Sequence, residues 1–157
     1  MFHSDESLLA MRDIVYRYRQ ESRQAASAGA FSAAVTILGA AIEGTLALRC
    51  LKSEKKAKSI ARQLVGKAKL HNPDDVMKWS FDNLVNVCDK AGWLSPINRT
   101  FAVVQTAALV SVVRKMRNLV HPGKAVREIP WSEIGQAEYD YCVTIDETIS
   151  AVLKKQI

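Results

Sequence analysis

The chain has 157 residues, of which 48% are hydrophobic and 24% charged, and its formal net charge is +6 at pH 7. This composition is ordinary for a soluble globular protein. A chain of this length buries roughly 70% of its unfolded surface, so it needs no metal or disulfide to fold as one domain, residues 1–157. Its three cysteines are widely spaced in apolar runs, with no CxxC and no His/Cys pair at zinc-ligand spacing. We therefore expect buried thiols, no metal or cofactor, and a cytoplasmic location.

Neither a signal peptide nor a membrane span is expected. Residues 1–6 are acidic where a secretory signal would be basic. Residues 31–48 are the only candidate span, but they contain Glu43 at their centre, with Gly39 and Gly44 beside it. This pattern predicts a buried helix and no membrane association.

Apolar periodicity and turn signals predict six helices, at about residues 5–28, 31–51, 54–64, 75–90, 98–120 and 133–155. Gly29 marks a short turn after the first helix, and Gly92 is the expected C-terminal cap of the fourth. No hairpin is predicted, because the β-branched run around Val103 and Val104 is too long and uninterrupted for a strand. The expected fold class is all-α, an antiparallel bundle of five to six helices.

The second helix carries two different stripes. One is apolar and ends in an arginine: Val35, Leu38, Ile42, Leu46 and Arg49. The other consists of small residues around one acid: Thr36, Gly39, Ala40, Glu43 and Ala47. Small residues allow a neighbouring helix to approach closely, so Glu43 is expected to face that neighbour.

The end of the fifth helix, SVVRKMRNLVHPG (residues 111–123), is the strongest functional candidate. Helical spacing places Arg114, Arg117, Asn118 and His121 on one face. The same stripe continues upstream through core residues, namely Val110, Ala107 and Val103. Cationic groups on a buried stripe are costly unless something pairs with them. Pro122 ends the helix and so places His121 in its last turn, near the surface.

An Arg–Asn dipeptide that ends a long helix and is closed by His-Pro resembles the signature of HEPN domains (higher eukaryotes and prokaryotes nucleotide-binding). The segments AAVTILGAAIEGTL and DNLVNVCDKAGWLSP also resemble HEPN-like sequences. The resemblance implies a compact, often dimeric bundle and, in many members, a metal-independent endoribonuclease with the motif Arg, four to six residues, His. Arg114 and His121 are separated by six residues and fit this spacing, whereas Arg117 and His121 are separated by three. Both arginines remain candidates.

The chemistry of these residues fits RNA. Histidine accepts a proton near neutral pH and could deprotonate a 2′-hydroxyl, while arginine binds phosphate through two parallel hydrogen bonds. We assign Arg114, Arg117 and His121 as catalytic candidates. The candidate phosphate- or RNA-binding residues are Asn118, Lys115 and Lys124. Glu43 is the candidate structural partner of one of the two arginines.

A basic segment, residues 49–69, contains eight Lys and Arg residues and the single acid Glu54. It suits a polyanion, and it equally suits a solvated helix face. Trp79, Trp93 and Trp131 are assigned to core or turn packing rather than to base stacking.

Two functions remain open. The first is an RNA-cleaving or RNA-binding HEPN-like domain of a toxin–antitoxin or phage-defence system, with a homodimeric structure and an antitoxin protein as partner. The alternative is a non-catalytic helical dimer or adaptor that binds a nucleotide, RNA or protein partner.

Overall fold

Helices dominate the computed structural model of the chain, which describes residues 5–66, 70–94, 97–99, 102–104, 106–118, 121, 123 and 134–154. The six α-helices in these residues are α1 (Asp5–Ser27), α2 (Phe31–Lys52), α3 (Glu54–Leu64), α4 (Phe81–Lys90), α5 (Thr106–Asn118) and α6 (Gln136–Lys154). A short 3-10 helix, Val76–Lys78, precedes α4. Two short strands, β1 (Ile97–Arg99) and β2 (Ala102–Val104), form an antiparallel hairpin before α5. The predicted helical class is confirmed.

The first two helices pack closely against each other. Gly29 occupies the turn between them with φ 75°, a conformation that favours glycine. Near this turn, the Ser22 hydroxyl donates to the Ala34 carbonyl at 2.7 Å. Further along, a Cβ at Gly44 would lie only 2.5 Å from Val15 Cγ2. α1 therefore approaches α2 closely at Gly44, which lies next to Glu43 but is not a member of the predicted small-residue stripe.

α2 lies at the centre of the described structure and contacts each of the other five helices. The predicted apolar stripe is buried along its whole length, at Val35, Leu38, Ile42, Leu46 and Arg49. By length and composition alone α2 also qualifies as a membrane span, with a mean hydropathy of 1.7. Its buried apolar residues belong to the same hydrophobic cluster as those of α4, α5 and α6.

The fourth helix begins later than predicted. Asp75 accepts a hydrogen bond from the Met77 backbone N–H at 3.1 Å, but this caps the short 3-10 helix. The chain then becomes extended, and Ser80 caps α4 by accepting from the Asn83 backbone N–H at 3.2 Å. The predicted start at residue 75 is wrong because two capping residues lie five positions apart, and the second begins the helix. Gly92, with φ 75°, follows its C-terminus as predicted.

The fifth helix is also shorter than predicted. Residues 98–99 and 102–104 were expected to be helical, but they lie in two strands paired in the register Ile97↔Val104, Asn98↔Val103 and Arg99↔Ala102. β-Branched residues favour extended pairing, which competes here with the helical pattern. Val103 therefore lies on β2 and not on the helical stripe of α5. The predicted end of the helix at residue 120 lies outside the described residues.

The three cysteines are buried and reduced. Cys50 Sγ and Cys88 Sγ lie 3.6 Å apart, and this hydrogen bond, together with burial, raises the pKa of Cys88 well above its usual range. Burial and the nearby Glu138 carboxylate raise the pKa of Cys142 to about 12. The prediction of buried thiols is confirmed. Trp79 and Trp93 are also buried, as predicted, while Trp131 lies outside the described residues.

Candidate functional site

The end of α5 changes from core to surface within two helical turns. Val110 and Val113 are fully buried, as expected of a helix packed on the central α2. Arg114 and Asn118 are half-buried, and Lys115 is exposed. This change follows from helical periodicity, because the apolar positions face the core and the charged positions leave it.

His121 is exposed just beyond the end of α5. Its backbone N–H donates to the Asn118 carbonyl at 3.1 Å. Its imidazole is therefore open to solvent, close in sequence to Arg114 and Lys115. The side chain of Arg117 and all of Lys124 lie outside the described residues.

Arg114 forms an ion pair that sequence reasoning did not identify. Its Nη1 donates to Oδ1 of Asp82, in the first turn of α4. The Arg114 side chain is 36% exposed and that of Asp82 53%. The predicted acid partner, Glu43, is therefore not the residue that pairs with Arg114. No local sequence signal indicates this pair, because its members are 32 residues apart.

Glu43 lies on the side of α2 that faces α1. It lines a cavity of about 270 Å³ together with Met11 and Tyr18 of α1 and with Trp79. The expectation that Glu43 faces a neighbouring helix is met. Its assignment as a partner of Arg117 stays a prediction, because that arginine side chain is not described.

The basic segment divides into separate groups. The Lys58 ammonium lies 2.7 Å from the Glu54 carboxylate, and both side chains are buried. Lys56 donates to the Ala91 carbonyl at 3.1 Å, and Arg62 pairs with Asp74. These cations stabilise the packing of α3 and the segment after it, so the described residues 49–66 do not present one continuous polyanion-binding face.

Arg49, at the start of this segment, is a buried cation. Its guanidinium carbon lies 3.9 Å from the centre of the Trp93 ring, and Nη1 donates to Ser53 Oγ at 2.8 Å. Burial lowers its pKa from the usual value, which shows that the surrounding protein disfavours the charge.

The described residues contain no group of three or more His, Cys, Asp or Glu side chains that could hold a metal ion. The carboxylate of Asp146 on α6 instead accepts two hydrogen bonds from Arg19 of α1, each at 2.8 Å. Asp146 thus serves to join the first and last helices.

Comparisons with protein-family models, with curated proteins and with solved structures found no match for this chain. The assignment of a function therefore depends on the residues and geometry described above.

Proposed function

We propose that the chain is a HEPN-like antiparallel helical bundle that binds RNA at the end of α5 and cleaves it without a metal ion. In this proposal it works in the cytoplasm as a homodimer, as the ribonuclease of a toxin–antitoxin or phage-defence pair. The observation that carries the proposal is the exposed His121 imidazole directly after a helix end that presents Arg114 and Lys115 to solvent.

The proposed reaction needs one proton acceptor and one or more cations. Neutral His121 takes the proton of a ribose 2′-hydroxyl, and the 2′-oxygen attacks the adjacent phosphorus. The bond from phosphorus to the 5′-oxygen breaks, and that oxygen takes a proton from solvent. The products are a 2′,3′-cyclic phosphate and a 5′-hydroxyl. Arg114 and Arg117 are the candidates to stabilise the negative charge that develops on the phosphate oxygens.

The ion pair with Asp82 leaves Arg114 able to bind phosphate. Arginine has five N–H donors, and the pair uses one of its nitrogens. Both side chains are at least one-third exposed, and exposed ion pairs typically contribute only about 0–1 kcal/mol. A phosphate can therefore displace the Asp82 carboxylate at little cost, and the carboxylate acts as a weak competitor of RNA.

This competition gives a specific test. Asp82→Asn removes the competing charge and is expected to strengthen binding of a single-stranded RNA, whereas Arg114→Gln is expected to weaken it. The matched control is Asp89→Asn, which changes the same charge at another exposed position of α4. RNA affinity is measured by fluorescence anisotropy at fixed salt, because phosphate contacts are salt-dependent. Equal affinities of the Asp82 and Asp89 variants would contradict the proposed role of Arg114.

Cleavage is tested separately with His121→Ala in the presence of a chelator. Because His121 is exposed, its replacement is expected to leave thermal unfolding nearly unchanged and to reduce cleavage by roughly 10²-fold or more, as for loss of a general base. A variant that cleaves as fast as the wild type would exclude His121 as the base.

One observation favours the alternative function, a non-catalytic domain that binds RNA, a nucleotide or a protein partner. Six residues separate Arg114 from His121, as in the HEPN motif, but Arg114 is paired with the acid Asp82 and not held free for a substrate phosphate. Binding of RNA by the wild type, reduced in Arg114→Gln but without any product, would support this alternative.

A further inference from the structure

A second site lies away from the end of α5, between α1, α2 and α6. These helices line a cavity of about 360 Å³ that is open to solvent. That volume falls within the range of roughly 300–1,000 Å³ that is typical of small-molecule pockets. The cavity shares no described lining residue with the Arg114–His121 segment, so it is a separate feature of the molecule.

The lining of this cavity is strongly cationic. Its basic residues are Arg12, Arg19, Arg49, Lys52 and Lys154, and none of its described lining residues is acidic. Arg19 is neutralised by Asp146. In the part of the chain that the structure describes, Arg12, Lys52 and Lys154 have no acid partner. The cavity therefore holds a net positive charge that a bound anion would balance.

Arg49, which also lines the cavity, adds a buried charge to its wall. Only 8% of this residue is exposed. Its guanidinium is held between the Trp93 ring and Ser53, yet its Nε atom has no hydrogen-bond partner among the described atoms. The Nε atom itself has almost no accessible surface, but an anion in the cavity would still reduce the cost of this buried charge by Coulomb attraction.

Helix polarity explains only part of this arrangement. Arg49 and Lys52 lie in the last turn of α2, and Lys154 in the last turn of α6, where cations interact favourably with the negative end of the helix dipole. Arg12 lies well inside α1, and no helix end accounts for its position. The convergence of cations from three helices on one cavity therefore requires a separate explanation.

The rest of the lining indicates the size and polarity of the ligand. Val15, Leu48 and Leu153 form an apolar part of the wall, and Tyr16 is 63% exposed. Arginine binds phosphate oxygens in pairs, while the apolar wall and the phenol ring suit a less polar body. We propose that this cavity is a binding site for a small phosphorylated molecule, distinct from the proposed RNA site.

Isothermal titration calorimetry of the full chain with inorganic pyrophosphate tests this proposal, at constant ionic strength set with chloride. Arg12→Gln and Lys52→Gln remove exposed cations from the cavity, and each is expected to weaken binding roughly fivefold to tenfold. Arg17→Gln on α1 and Lys90→Gln at the end of α4 remove the same charge elsewhere and are expected to change affinity less than about twofold. Arg49 is left unchanged because its replacement would also remove packing against Trp93.

Three results would overturn the proposal: no detectable binding of pyrophosphate, equal losses in the cavity and control variants, or full displacement of pyrophosphate by a single-stranded RNA without terminal phosphates. The last result would identify an extended polyanion surface instead. Arg114→Gln is expected to leave pyrophosphate binding unchanged, so failure at this cavity and failure of the proposed RNA site give different results.

Discussion

The ion pair between Arg19 and Asp146 should be one of the largest single polar contributions to stability. Arg19 Nε and Nη2 each donate to the Asp146 carboxylate at 2.8 Å. Nη2 also donates to Thr45 and to Ser150, each at 2.9 Å. One arginine therefore joins α1, α2 and α6, and its side chain is only 25% exposed, against 10% for that of Asp146.

Asp146→Ala is expected to cost about 2–4 kcal/mol of unfolding free energy. Loss of one partner of a fully buried pair costs about 3–5 kcal/mol, and the partial exposure of Arg19 reduces that figure. In a chain of this size, this corresponds to a fall of roughly 5–15 °C in melting temperature. Guanidinium unfolding followed by far-UV circular dichroism measures the change.

A matched control lies on α1, the helix that carries Arg19. Arg17 and Glu21 form an exposed pair at 3.6 Å, with side chains 64% and 46% exposed. Such a pair is worth roughly 0.3–0.5 kcal/mol, so Glu21→Ala should have little effect. If Asp146→Ala destabilises the protein no more than Glu21→Ala does, then the conclusion that burial makes the Arg19 pair important is wrong.

Three further predictions concern packing, capping and pH. Gly44→Ala places a methyl group against Val15. Differential scanning calorimetry should show a net loss of about 1–2 kcal/mol of unfolding free energy, because overpacking outweighs the better helix propensity of alanine. An increase in stability would contradict the close approach of α1 to α2 at Gly44. Ser80→Ala removes the cap that accepts from Asn83 N–H and should cost about 1 kcal/mol in urea unfolding, whereas Ser80→Asp, which keeps an acceptor, should not. Because the pKa of Cys142 is raised from 9.0 to about 12, the unfolded thiol ionises first as pH rises. The unfolding free energy should then fall by about 1.4 kcal/mol per pH unit between these values. Cys142→Ala should show a shallower fall of unfolding free energy with pH. Equal slopes in the wild type and the variant would show that Cys142 does not contribute to the fall.

The first three helices could be predicted closely from the sequence because their signals are local. Gly29 marks the turn after α1, and the predicted bounds of α3, residues 54–64, agree with the structure. The apolar stripe of α2 also indicated its buried face, including Arg49. Periodicity and turn chemistry depend on neighbours only a few residues away, and a single sequence contains that information.

The errors at the starts of α4 and α5 arose where two local signals compete, whereas the partner of Arg114 is decided by distant residues. Strand pairing of residues 97–99 with 102–104 stabilises an extended conformation that the apolar run does not indicate by itself. The partner of Arg114 lies on α4, and its choice of Asp82 depends on how α4 and α5 pack. The cationic cavity is likewise invisible in the sequence, because its residues come from three separate helices.

RNA cleavage by wild-type protein and by His121→Ala tests most directly whether the end of α5 is a ribonuclease site. The assay contains a chelator, and the products are analysed for their end groups. The wild type is expected to give 2′,3′-cyclic phosphate ends, and the folded variant is expected to bind RNA but to form almost no product. Undiminished cleavage by the variant, or a wild type that neither binds nor cuts RNA, would contradict the assignment of the end of α5 as a ribonuclease site.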